Sequence, residues 1–195
     1  MVAHSSDLVC IQEVGMRDGL QSAGQFVTTE DKVRLIDQLS KTGLSKIEVT
    51  SFVSPKAVPL LADAEEVLAA INRQPSVTYS ALIPNRRGLD RALAVELDEV
   101  NLVMSVSEAH NLANLRMTCE QSIEQFREIC NNRGSLRVNG TLATAFGCPF
   151  HGEVTQSTVF EWAHRYLDAG IDSLTLADTI GAATPRQVYD LCSGF

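Results

Sequence analysis

Short apolar runs alternate with longer amphipathic stretches along the whole chain, the signature of repeated βα units feeding a parallel sheet. Six such units are read, with strands expected at Leu8–Val14, Lys46–Thr50, Val77–Ile83, Glu99–Met104, Leu136–Leu142 and Ser173–Ala177. The intervening helices have recognisable starts. Thr28 with Asp31, Asp63 with Glu66, Thr118 with Gln121 and Thr184 with Gln187 match a capping-box spacing or a close variant of it. In such a box, side chains satisfy amides that the first helical turn leaves unpaired. Pro185 stands at a first helical position, where its missing N–H costs nothing. Gly43, Gly134 and Gly170 are expected to close helices in the left-handed conformation.

The segments Gly43–Val49 and Gly170–Leu176 both run from a helix cap into a strand, so one unit recurs along the chain. No linker, low-complexity segment or composition break intervenes, which predicts a single domain over residues 1–195. A βα repeat ends either as a doubly wound sheet or as a closed barrel. No G-x-G-x-x-G follows the first strand and no P-loop occurs. Polar residues instead recur at the carboxyl ends of strands: Arg17 and Asp18, Glu48 and Ser51, Asn85, Ser107 and Glu108, Asp178 and Thr179. A barrel assembles its site in this way. The expected fold is therefore α/β, a parallel (β/α)8 TIM-barrel type with the first six βα units present. A complete barrel takes about 250 residues.

Composition narrows the partners. A formal charge of −8 and an isoelectric point near 5.0 argue against nucleic acid and anionic membrane surfaces, which need clustered Lys and Arg. Small molecules are the expected partners. Cys10, Cys119, Cys130, Cys148 and Cys192 form no C-x-x-C pair, the usage of a reducing compartment. With no apolar h-region near Met1 and no bilayer-length apolar stretch, a cytoplasmic location is expected.

The first strand ends Gln12-Glu13-Val14-Gly15-Met16-Arg17-Asp18-Gly19-Leu20-Gln21, which places a cation, two carboxylates and an amide in one short turn. Glu48 lies inside the run Ile47–Val53, where a carboxylate requires a partner. Asp178 poses the same problem at the sixth strand end. Three acids and an arginine at strand ends make a candidate site.

The segments Glu13–Gln21, Ile47–Pro59, Ile83–Asn85, Ala145–Phe150 and Ala177–Gly181 together resemble the 3-hydroxy-3-methylglutaryl-CoA lyase family of the DRE-TIM metallolyases, in matching order from about Val9 onward. The resemblance implies a barrel that binds Mg²⁺ or Mn²⁺ and splits a 3-hydroxyacyl-CoA into acetyl-CoA and a keto acid, acetoacetate in the type reaction. By position, Asp18 resembles the family's metal-binding aspartate and Arg17 the arginine that steadies the thioester oxygen. Glu48 and Asp178 match its acids for proton transfer and site organisation. Gln21, Ser51, Asn85 and Thr179 would line the substrate pocket. The implied partner is an acyl-CoA, with no nucleic acid and no membrane, in a homo-oligomer such as a dimer. This chemistry suits the residue types, because a Lewis acid at the hydroxyl and a fixed guanidinium at the thioester both stabilise charge as the C–C bond breaks. Hard oxygen ligands favour Mg²⁺ or Mn²⁺.

Two departures from the family pattern stand out. The family's H-x-H pair, at the end of a seventh strand, has no counterpart among His4, His110, His151 and His164, so the 195-residue chain alone is expected to be nearly inactive. His164 is expected on a helix surface and His151 in a loop. Asn139 and Thr141 occupy positions that hold Arg and Tyr in the animal enzymes, which leaves room for another branched substrate such as citramalyl-CoA. The neighbouring readings are a Claisen-type synthase of the same superfamily, which also uses the Arg-Asp pair, and a non-catalytic fragment that associates through open sheet edges.

Overall fold

The computed structural model describes residues 9–195. Leu8 of the expected first strand and His4 lie outside the described residues. Six strands, β1 (Gln12–Glu13), β2 (Lys46–Ser51), β3 (Thr78–Leu82), β4 (Glu99–Ser105), β5 (Arg137–Ala143) and β6 (Ser173–Leu176), make one parallel sheet in strictly sequential order. A doubly wound sheet reverses its order at a switch point. This sheet has none, which is the barrel-type progression.

Among the described residues seven α-helices accompany the strands: α1 (Thr29–Leu39), α2 (Ala64–Ala70), α3 (Arg86–Leu93), α4 (Glu108–Leu115), α5 (Cys119–Asn132), α6 (Gln156–Asp168) and α7 (Pro185–Cys192). Thr118 and Thr184 form complete capping boxes with Gln121 and Gln187. The Thr28 hydroxyl accepts from the Asp31 amide. Asp63 does not cap α2 through its side chain. Its carboxylate accepts instead from the Lys32 ammonium (2.5 Å) and the Thr29 hydroxyl (2.8 Å). A buried cation needs a full charge opposite it, and that demand outweighs one helix-end amide.

The described chain packs as two compact units, the described part of Met1–Leu82 with Arg91–Glu99, and Ile83–Asp90 with Val100–Phe195. In the first, Ile36, Ile47, Val49, Leu68, Tyr79 and Ala81 are buried. Lys46 and Glu99, which open β2 and β4, form an ion pair at the amino ends of their strands. That is the end of a βα barrel associated with stability. In the second unit, Tyr166 is wholly buried; its hydroxyl accepts from the Met104 amide (3.1 Å) and donates to the Thr141 carbonyl (3.1 Å). A Cβ added at Gly140 would stand 2.2 Å from its ring, so glycine is required there for the ring to reach β5.

The first strand is shorter than its apolar run predicts. Only Gln12 and Glu13 register against Lys46 and Ile47, while Val9 and Ile11 remain exposed. Those apolar side chains stay mostly exposed, so they give the strand little packing reason to lengthen.

Candidate active site

In the first unit the chain leaves β1 through a wide π-helical turn, Gly15–Gly19, in which the Leu20 amide reaches back to the Gly15 carbonyl. Such turns occur often at functional sites. Glu13 stabilises the turn's start, its carboxylate accepting from the Gly15 amide (2.5 Å). The turn aims Arg17 at β2. There the guanidinium donates through Nε to Glu48 (2.7 Å) and through Nη1 to Asp18 (2.8 Å). Glu48 is 2% exposed and receives this charged donor in a buried setting, whereas the Asp18 side chain is 66% exposed and its carboxylate faces solvent. The β2–β3 register shifts between Glu48 and Thr50. A bulge re-aims side chains, and this one falls beside the buried acid. The Ser51 hydroxyl, buried, accepts from the Val53 amide (3.2 Å). Gln21 is exposed.

The second unit carries the remaining expected residues. Asn85 caps α3, its side-chain oxygen accepting from the Gly88 amide (3.1 Å). Asp178 is exposed after β6, and its two carboxylate oxygens accept from the Ala182 and Ala183 amides (both 2.9 Å), which makes it the organiser of its own loop. The Thr179 hydroxyl accepts from the Thr144 amide (2.7 Å). Asn139 is buried, with its side-chain amide engaged by Ser173 and Thr175. His164 lies exposed on α6 and His151 in a loop, as expected.

Three features of this unit escaped the sequence. Thr144 is fully buried in the left-handed region at φ 59°, a costly conformation for a β-branched residue, and Thr179 helps hold it there. Ser105 and His110 are hydrogen-bonded through Oγ and Nδ1, and the imidazole packs against Phe150 with ring centroids 6.0 Å apart. The Cys148 thiol donates to Ser107 (3.0 Å). Burial alone would push that thiol up, but the Ser107 hydroxyl and the Phe150 and His151 amides bring it below the usual thiol range. Cys119 is the reverse case: burial, then a hydrogen bond with Glu108, pushes it up to about 12. No sequence signal marks a left-handed threonine, because tertiary contacts impose it.

Asp18 offers one hard-oxygen donor toward a divalent cation. Among the described residues no three His, Cys, Asp or Glu side chains come together as a metal cage. The residues present do not make a complete site.

The HMGL-like family model matches residues 9–195. The chain belongs to the HMGL-like family. It is 44% identical over 182 residues to the hydroxymethylglutaryl-CoA lyase YngG of Bacillus subtilis, covering 92% of this chain and 61% of that protein. It is 39% identical to the human mitochondrial hydroxymethylglutaryl-CoA lyase, covering 95% of this chain and 58% of that one. Among solved structures, an HMG-CoA lyase from Acinetobacter baumannii in complex with coenzyme A and 3-methylmalate matches with a TM-score of 0.93 and 49% identity, over 98% of this chain and 63% of that one. The chain thus spans about 60% of the length of the curated relatives it matches. The barrel-type reading and the lyase-family resemblance both hold for this HMGL-like chain.

Proposed function

We propose that this HMGL-like chain supplies the enolate-stabilising part of a lyase that cleaves 3-hydroxy-3-methylglutaryl-CoA, or a close 3-hydroxyacyl-CoA, to acetyl-CoA and a keto acid. The observation that carries the reading is Arg17, aimed by a π-helical turn and held by a buried carboxylate at a strand's carboxyl end. A guanidinium fixed before the reaction stabilises a developing thioester oxyanion without reorganising. Glu48 keeps Arg17 oriented and is the acid nearest to it for moving a proton. Asp178, in its own unit, is assigned to site organisation through the loop it ties together. Gln21 and Ser51 in the first unit, and Asn85 and Thr179 in the second, are proposed as substrate-binding residues. Ser51, Asn85 and Thr179 would act by fixing backbone, since each accepts from a main-chain amide.

The reading includes a divalent cation, Mg²⁺ or Mn²⁺, with Asp18 as one ligand. A bound cation would supply a Lewis acid for the charge that develops at the substrate hydroxyl oxygen. An acyl-CoA is the partner molecule, a reading supported by the relative whose structure holds coenzyme A. A cytoplasmic location accords with five free cysteines. Among the described residues no helix is long and apolar enough to cross a membrane.

The test is product analysis. The chain completed with the two remaining βα units of the Bacillus subtilis relative is expected to release acetyl-CoA and acetoacetate from 3-hydroxy-3-methylglutaryl-CoA, while the 195-residue chain alone releases almost none. Condensation of acetyl-CoA with a keto acid, without cleavage, would instead favour the Claisen-type alternative. A second substrate has specific support. Asn139 is a neutral amide on β5, and a matching relative was solved in complex with coenzyme A and 3-methylmalate. A branched malyl-type thioester therefore belongs in the same assay.

A further inference from the structure

The β2–α2 connection, from Phe52 to Asp63, leaves the strand end that carries Glu48 and Ser51. Loops at that end of a βα barrel build the substrate mouth. Its first residues are fixed by an arginine far along the chain. Arg91, on α3, donates through Nη1 to the carbonyls of Phe52 (3.3 Å) and Val53 (3.4 Å), and its guanidinium lies 5.1 Å from the centre of the Phe52 ring. The same guanidinium grips Glu65 of α2 in a two-pronged ion pair, Nε to Oε1 at 2.6 Å and Nη2 to Oε2 at 2.8 Å. Arg91 therefore ties together the strand exit, α2 and α3. From the other side the Ser51 hydroxyl holds the Val53 amide, so both the N–H and the C=O of Val53 have side-chain partners.

A surface ion pair needs only two partners. Here a planar five-donor fork reaches a carboxylate and two successive carbonyls at once, a geometry an ammonium cannot reproduce. We infer that Arg91 is a positioning residue for acyl-CoA binding, acting through the backbone of Phe52 and Val53 rather than by touching substrate. This rests on the lyase reading above, which places an acyl-CoA at the strand ends. The pairing is consistent with the ionisation of its members. The Arg91 hydrogen bond holds Glu65 below the usual carboxylate range, and the Glu65 hydrogen bond raises Arg91.

The experiment separates positioning from simple stabilisation by exchanging the pair. Coenzyme A is titrated calorimetrically into the completed wild-type chain of the preceding test, its Arg91→Ala variant, and the double variant Arg91→Glu with Glu65→Arg. Melting temperature and hydrogen–deuterium exchange over residues 52–58 are followed in parallel. Arg91→Ala is expected to weaken coenzyme A binding about tenfold and to speed exchange in that segment, as two carbonyl anchors are lost. The double variant restores the ion pair and hence the melting temperature, but a glutamate at 91 cannot donate to carbonyls, so affinity stays low. Affinity recovering together with melting temperature would overturn the inference, as would Arg91→Ala binding as wild type does. Where Arg91→Ala does not fold, Arg91→Lys serves: charge retained with the fork lost predicts an intermediate affinity, and full affinity overturns. A completed wild-type chain that binds no coenzyme A overturns the lyase reading itself, and unchanged exchange over 52–58 in a folded Arg91→Ala overturns the clamp separately.

Discussion

At the residue scale, Glu48 sets the terms for its neighbours. Its side chain is 2% exposed inside a strand, and Arg17 donates to it at 2.7 Å. Removing one partner of such a pair leaves an uncompensated buried charge. Arg17→Gln is therefore expected to lower stability by about 2–3 kcal/mol, somewhat less than for a fully buried pair because Arg17 keeps some exposure. Urea denaturation checks this, with Arg17→Met combined with Glu48→Leu recovering most of the loss. The Glu65–Arg91 pair gives a pH signature. The Arg91 hydrogen bond holds the folded Glu65 carboxyl below its ordinary value of 4.5, so the stabilisation is present above that value and is lost as pH falls through the lower, folded one. The Glu65 side chain is 38% exposed, which limits the effect to roughly 1 kcal/mol or less after solvent screening. The melting-temperature gap between wild type and Glu65→Gln should thus be constant well above pH 4.5 and close as the pH falls below it; a gap that widens on acidification would reverse the assignment. Arg17 and Glu48 were legible in the sequence because charge inside an apolar run demands an explanation. Arg91 was not, because its partners lie 26 and more positions away and its own helix reads as an ordinary polar surface.

At the scale of elements, five of the six strands were legible to within about two residues, because an apolar run between a glycine cap and a polar loop leaves little freedom in where a buried strand starts. The first strand was not, since Val9 and Ile11 are apolar yet unburied. The π-helical turn and the β2 bulge were equally invisible, each being a one-residue departure from regular hydrogen bonding that no side-chain pattern encodes. The Tyr166–Gly140 contact joins α6 to β5 and supports two tests. Tyr166→Phe leaves the buried Met104 amide without its acceptor and should cost about 1–3 kcal/mol. Gly140→Ala forces the ring away and should cost at least as much, about 2–3 kcal/mol. Thermal melts that place both variants within about 0.5 kcal/mol of wild type would show that the contact carries no stability.

At the scale of the whole molecule, the chain carries the HMGL-like features through its sixth strand and spans about 60% of the length of its curated relatives. The βα order and the strand-end acids are legible over that length. The acyl specificity is not, because Asn139 and Thr141 fit no single substrate. With Asp18 as one exposed carboxylate and no described cage of three ligands, Mn²⁺ titrated into the 195-residue chain should bind more weakly than about 10⁻⁴ M. Tight stoichiometric binding would show a ligand set that the described residues do not contain. The central claim is that Arg17 stabilises the enolate formed in cleavage. It is tested most directly by coupled detection of acetyl-CoA from 3-hydroxy-3-methylglutaryl-CoA in the completed chain, comparing wild type with Arg17→Gln at a temperature where circular dichroism shows both folded. The account predicts a fall in kcat of roughly 10²-fold or more, from losing about 3–4 kcal/mol of oxyanion stabilisation, with a smaller change in KM. An Arg17→Gln enzyme with unchanged kcat would contradict it.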